Sequence, residues 1–337
     1  MTIKDIAKIS GVSVSTVSRV LNNHPDVSDA IREKVQAVVR DYNYVPNNSA
    51  RDLVRSQSDA IGVITRGIGN LFFSDMLETI GQEIDARGMT MVLRQIGSDD
   101  DEIQAGALLQ REKKLRGILF LGGRFDYTQA ELATITVPFV CCTYTNSFGT
   151  LSEDAYASVS IDDQQAAYDA VSTLIQMGHR RIAALVPSCR DHSISELRYN
   201  GYRAALFASD IPFDKALVME TGGCFEMDEA YQGTLALLDR QVPFSAIFTV
   251  SDTMALAVVK ALHDRGLQVP DDYSVIGIDG LSMSRFFVPT LATMAQPTQE
   301  LGRESVTILM EMVLDRHPPR HTRLLASLRP GSSIRPL

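Results

Sequence analysis

Ile3-Lys4-Asp5-Ile6-Ala7-Lys8-Ile9-Ser10-Gly11-Val12-Ser13-Val14-Ser15-Thr16-Val17-Ser18-Arg19-Val20-Leu21-Asn22 is the stretch that decides how this chain is read. Ile3, Ile6 and Ala7 recur at helical spacing and predict a short helix with one apolar face. Gly11 stands where the backbone must turn sharply into a second helix. Ser13 can cap that helix through its hydroxyl. Val17, Val20 and Leu21 give the second helix a buried face. Ser15, Thr16, Ser18 and Arg19 remain as a short outer face of hydrogen-bonding groups. Such a face, on the second helix of a helix-turn-helix, fits the DNA major groove.

Outward from there, Ser28 is positioned to cap a third helix. Ile31, Val35, Val38, Val39 and Tyr42 continue its apolar stripe. Tyr44-Val45-Pro46-Asn47-Asn48-Ser49-Ala50-Arg51-Asp52-Leu53-Val54-Arg55 follows. Pro46 stops what precedes it, and Asn47 can cap a brief new helix too short to be stable alone. From Asp59 the pattern changes to strands and helices in strict alternation. Strands are predicted at 60–65, 89–93, 117–121, 137–143, 181–186, 217–220, 246–250 and 273–278. Helices are predicted at 73–87, 103–109, 127–134, 161–177, 196–208, 226–239 and 252–265. This alternation predicts parallel sheets covered on both faces, in two similar doubly wound α/β lobes. A cleft is expected where the carboxyl ends of the strands face each other. The expected division is a head at 1–43, a hinge at 44–58, one lobe at 59–159 plus 292–323, and the other at 160–291 plus 324–337.

The chain has 337 residues and a net charge of −9, unevenly spread. Residues 1–57 carry +2 and the remainder −11. The acidic body discourages indiscriminate adhesion to nucleic acid and leaves contact to the head. No apolar run of 18 or more occurs, and no signal peptide is evident, so no membrane span is expected. Cys141, Cys142, Cys189 and Cys224 are too few and scattered for a disulfide framework or a zinc site, and read as reduced thiols of a cytoplasmic protein. Gly67-Ile68-Gly69-Asn70-Leu71-Phe72 mimics a dinucleotide fingerprint but has Phe72 where the third glycine belongs, so no cofactor is expected. The run Asp99-Asp100-Asp101-Glu102 reads as a solvated helix start.

Residues 3–22, with Tyr44-Val45-Pro46-Asn47 and Ala50-Arg51-Asp52-Leu53, resemble the head and hinge of the lactose/galactose-repressor (LacI/GalR) family of bacterial transcriptional regulators. The resemblance implies lobes of the periplasmic-binding-protein type. It implies that Val14, Ser15 and Arg19 point into the major groove. Arg19 can give guanine two hydrogen bonds, and Val14 can meet a thymine methyl. Thr16 and Ser18 hold phosphates or cap locally, and Asn22 and Asn47 complete the DNA-facing set. Leu53 takes the place of the family's minor-groove wedge, and small Ala50 lets the hinge approach.

The same resemblance extends to an effector pocket. Arg198, three residues before Gly201, corresponds to the arginine that grips the ligand. Thr249-Val250-Ser251-Asp252-Thr253-Met254-Ala255 resembles an Asn-Asp-x-Met-Ala strand end with Ser251 in place of asparagine, and Asp252 can cap the helix that follows. Asp279, in Gly277-Ile278-Asp279-Gly280, can take two sugar hydroxyls. Thr143 replaces an acid at another strand end. Phe72 and Phe73 stand beside the cleft, and Gln296-Pro297 lies in a crossing between lobes. The expectation is a repressor binding a near-palindromic double-stranded operator as a homodimer, joined through a first-lobe surface near 73–115 and second-lobe helices. Its effector is a small polar metabolite, with sugar or sugar phosphate ahead of nucleoside or purine. Two alternatives share such a cleft: a solute-binding protein, or an enzyme acting on a sugar or nucleoside. His24, His179, His192, His263, His317 and His321 pair with no nucleophile that the sequence identifies.

Overall fold

The structure is a computed structural model and describes residues 1–21, 24–44, 58–67, 69–222 and 225–337. The chain divides into two compact units, Met1–Ser58 and Asp59–Leu337. The hinge residues 45–57, with Asn47, Ala50 and Leu53, lie outside the described residues, as do Asn22, Ile68 and Cys224.

In the first unit, α1 (Ile3–Ser10), α2 (Val14–Leu21) and α3 (Asp29–Asp41) enclose a small core of Ile6, Ala7, Val17, Val20, Val27 and Val35. Thr2 and Asp5 form a reciprocal capping box on α1. Gly11 closes α1 in the left-handed conformation at φ 64°, which a side chain would oppose. Ser13 Oγ accepts from the Thr16 amide at 3.1 Å, as its position predicts. Ser28 stands at the N-cap of α3, but its side chain makes no capping bond.

The second unit holds two six-stranded sheets. The first runs β11 (His321–Leu324), β5 (Ala157–Ile161), β4 (Phe139–Cys142), β3 (Gly117–Leu121), β1 (Ala60–Arg66), β2 (Thr90–Ile96), all parallel. The second runs β12 (Ser327–Arg329), β10 (Ala292–Ala295), β9 (Ser274–Asp279), β8 (Ala246–Thr249), β6 (Ile182–Val186), β7 (Val218–Glu220), with β12 antiparallel. Its strands β6, β8 and β9 are buried end to end, as parallel strands covered on both faces must be. The helices of the first half are α4 (Phe72–Ala86), α5 (Glu102–Lys113) and α6 (Gln129–Leu132), and α11 (Thr298–Met310) returns to it. Those of the second are α7 (Asp163–Gln176), α8 (Ile194–Ala208), α9 (Met227–Asp239) and α10 (Asp252–Asp264).

The strand pairings set the crossings between halves. The chain leaves the first sheet after β5 ends at Ile161, returns after β10 ends at Ala295, and leaves again between β11 and β12. All three points differ from the expected boundaries at 159/160, 291/292 and 323/324, the last because Leu324 still pairs with Ile161. β5 completes its pairing with β4 and β11 before crossing, and β10 is hydrogen-bonded to β9 and β12. Among the described residues, no helix is long and apolar enough to cross a membrane.

Candidate functional site

On the head, α2 keeps Val17 and Val20 inside and leaves Val14, Ser15 and Arg19 exposed, with Thr16 and Ser18 half-buried. The outer face is already ordered. Ser13 Oγ lies 2.7 Å from Ser15 Oγ and 2.8 Å from Thr16 Oγ1. Arg19 Nη1 rests 3.3 Å from Asp26, with more than half of its side chain exposed. Such an exposed pair contributes little, so the guanidinium is released at small cost.

In the second unit, the carboxyl ends of the two sheets meet. Leu281, just past β9, joins the core cluster of Phe72, Phe73, Met76 and Leu121 in the first half. Ile194 and Leu197 of α8 pack on a first-half cluster that includes Phe125 and Tyr144. His192 stacks on Phe148 at 5.0 Å and lies 3.6 Å from Asp126.

Arg198 sits at this junction with 2 % of its surface exposed. Its Nε donates to Asp163 Oδ1 at 3.0 Å, and Nη1 donates to the Val250 carbonyl and to Asp279 Oδ1 at 3.2 Å. Gln296 Nε2 donates to the same Asp279 oxygen at 2.9 Å. Burial raises both carboxyl pKa values, Asp163 to about 6, while the Arg198 charge pulls them down. Gly201 makes the assembly possible: a Cβ there would stand 2.2 Å from the Gln164 carbonyl. Only a glycine lets α8 lie close enough to α7 for Arg198 to reach Asp163 at the helix start. Asp279 itself is held at φ 126° and Thr143 at φ 76°, conformations that cost a side-chain-bearing residue about 1–3 kcal/mol. Strain of this kind concentrates at functional sites.

Arg198, Asp279 and the carbonyl after β8 thus come together. Asp163 and Gln296 are functional candidates that the sequence reading passed over. Asp163 was hidden in the acidic pair Asp162-Asp163, where Asp162 accounts for the capping bond to Gln165. Gln296 was visible only as part of a crossing.

Other candidates fall elsewhere. The cap of α10 is Ser251, whose Oγ accepts from Met254, and not Asp252. Asp252 is fully buried, and its Oδ2 accepts from the Leu281 amide at 2.8 Å and from Ser284. That oxygen fixes the 281–284 loop, while Oδ1 is buried without a hydrogen-bond partner. Phe72 and Phe73 are core residues, 8 % and 6 % exposed, with the Phe73 ring lying against Gly122 at the end of β3. Glu102 is no solvated helix-start acid. It is buried, 3.3 Å from Arg66, and accepts from the Arg124 amide at 2.7 Å, because Asp101 alone caps α5. His179 bonds Ser245 and the Arg335 carbonyl, tying a turn to the C-terminal segment.

Comparison with known proteins bears on both parts. Residues 2–47 match the profile of bacterial regulatory proteins, lacI family, and residues 171–334 that of a periplasmic binding protein-like domain. The HTH-type transcriptional regulator MalR of Clostridium butyricum is 39 % identical over 328 residues, 96 % of each chain. The ribose operon repressor of Escherichia coli K12 is 31 % identical over 93 % of each chain. The Lac repressor dimer bound to operator and the anti-inducer ONPF superposes with a TM-score of 0.83 at 26 % identity, over 99 % of this chain and 98 % of that one. The CelR–cellobiose complex gives 0.72 at 28 % identity, over 99 % of each chain. With a reading helix on its head, a buried arginine where its two sheets meet, and these relatives along almost its whole length, the chain belongs to the lacI family of bacterial regulatory proteins and is an effector-controlled, DNA-binding transcriptional regulator, not an enzyme.

Proposed function

We propose that this regulator is a cytoplasmic repressor that binds a near-palindromic operator as a homodimer and answers to a small polar metabolite held between its halves. Val14, Ser15 and Arg19 read base edges, while Thr16, Ser18 and Asn22 hold the backbone. Asn47, Ala50 and Leu53 of the hinge approach the minor groove. Arg198, Asp279, Ser251 and Thr143 surround the effector, with Phe73 behind them. A sugar or sugar phosphate suits that donor and acceptor set better than a purine, and the relatives named for ribose and crystallised with cellobiose favour the same class.

One observation carries the reading: Arg198 is bonded to Asp163, which opens the segment after one crossing, and to Asp279, which Gln296 at a second crossing also bonds. A ligand that engages Arg198 acts on the joint between the halves. It can favour one arrangement only by binding it more tightly than the other. A gel shift with DNA from upstream of the gene, repeated with candidate sugars, tests this. The expected outcome is a retarded complex whose affinity changes at least severalfold with one sugar. Operator affinity indifferent to every sugar, sugar phosphate and nucleoside would sink the effector assignment.

A further inference from the structure

The hydrogen bonds already made by Arg198 define what it can still accept. A guanidinium has five N–H groups, and it grips an anion best through the flat edge formed by Nε and Nη2. In Arg198 that edge is occupied: Asp163 Oδ1 lies 3.0 Å from Nε and 2.9 Å from Nη2. The Nη1 end is taken by the Val250 carbonyl and Asp279. Two buried carboxylates therefore face one cation. At the end of the first sheet, Arg66 is likewise paired with buried Glu102. Arg329 gives its Nη1 and Nη2 to the Gly280 and Leu281 carbonyls and Ser284. Each of these three arginines thus already binds acceptors of the protein itself, although Arg329 Nε is left without a partner.

We propose that Asp163 determines the effector class, admitting uncharged, hydroxyl-rich ligands and rejecting anionic ones. The inference rests on the effector reading above and narrows it from sugar or sugar phosphate to unphosphorylated sugar. An incoming phosphate would have to evict Asp163 from the Nε–Nη2 edge, or lie beside two carboxylates in a buried setting where like charges repel strongly. A hydroxyl group both donates and accepts. It can accept from the outer Nη2 hydrogen and donate to Asp163 or Asp279 without displacing either. Asparagine at 163 would keep the shape and remove the charge, returning Arg198 to its general role as an anion receptor.

The test is isothermal titration of the full-length protein with matched pairs: ribose and ribose 5-phosphate, glucose and glucose 6-phosphate, cellobiose and its phosphate ester. For a pair that binds, the uncharged sugar is expected to bind at least about tenfold tighter than its ester. In Asp163→Asn the ratio is expected to shrink by about tenfold or more, mainly through tighter binding of the ester. A wild type that prefers the ester, or a ratio that Asp163→Asn leaves unchanged, overturns the proposal. The wild-type ratio is read on the native protein, and Asp163→Ser supplies a second variant should asparagine not fold. A protein that binds neither member of any pair, nor any nucleoside, overturns the effector reading itself, a different failure from binding the ester best.

Discussion

Arg19 and Arg198 are one residue type put to opposite uses. Arg19 is a loosely tethered, solvent-facing cation, so its hydrogen bonds are available to DNA. Arg19→Ala is expected to weaken operator binding by about 1–3 kcal/mol at fixed salt, read by fluorescence anisotropy, and to relax preference at one base position. Equal affinity of wild type and variant would remove Arg19 from the reading face. Arg198 is buried among carboxylates, and its partner Asp163 carries a pH signature. Because burial pushes Asp163 up to about 6, the folded protein keeps a proton there that the unfolded chain releases near the ordinary carboxylate range. The stability from that proton is fully present below about pH 4 and is lost as pH rises toward the folded value. Asp163→Asn is expected to flatten stability between about pH 4 and 6 by on the order of 2–3 kcal/mol, measured by urea unfolding at several pH values. Parallel pH profiles for the two proteins would contradict this.

At the scale of elements, neighbours decide what a short segment becomes. Helices α1 and α2 have eight residues each, too few to hold alone in water. They persist because Ile6, Ala7, Val17 and Val20 share a core with Val35 of α3. The pair α7 and α8 depends on a missing side chain. Gly201→Ala is expected to destabilise the protein by about 1–3 kcal/mol through overpacking against Gln164. Effector response should fall with it, since Arg198 rides on the displaced helix. Chemical denaturation paired with sugar titration checks both, and a variant of wild-type stability would contradict the close approach. The long alternating runs of the body were readable because buried parallel strands are continuously apolar. β5, Ala-Ser-Val-Ser-Ile, was not, since its two serines mimic a solvated segment although all five residues are buried. Ser158 escapes the cost of burial by bonding His321 across the sheet at 2.7 Å, a contact between residues far apart in sequence.

For the whole molecule, exposed apolar groups offer surfaces to the proposed homodimer. Phe286 and Val288 are 84 % and 93 % exposed beside a groove lined by Val259, His263, Leu267 and Phe287. Leu93 and Leu108 are exposed on β2 and α5 of the first half. The first-half pair falls in the 73–115 surface expected to join copies, and the groove includes residues of helix α10. A two-fold dimer would present two reading helices to the two halves of a palindrome. Val288→Glu combined with Phe286→Glu is expected to shift the protein toward monomer in sedimentation equilibrium and to weaken operator binding, because each head would then bind alone. An unchanged mass would place the interface elsewhere.

By itself the sequence determined the class of the long elements up to β9 but not of helix α11, together with the helix-turn-helix and the regulator family, because periodicity, capping residues and local motifs are written in consecutive residues. It also pointed to Arg198 and Asp279 as site residues. Only the tertiary structure decided what those two residues touch. It joined Asp163, Arg198, Asp279 and Gln296, which are separated by up to 133 positions, into one buried cluster. It turned Asp252 toward a loop, sank Phe72, Phe73 and Glu102 into the interior, and moved the crossings to Ile161 and Ala295. The physical reason is that burial and charge pairing are set by which chain segments meet. A carboxylate in solvent and one locked onto a guanidinium are the same letter in the sequence, and they differ in what they leave for a ligand.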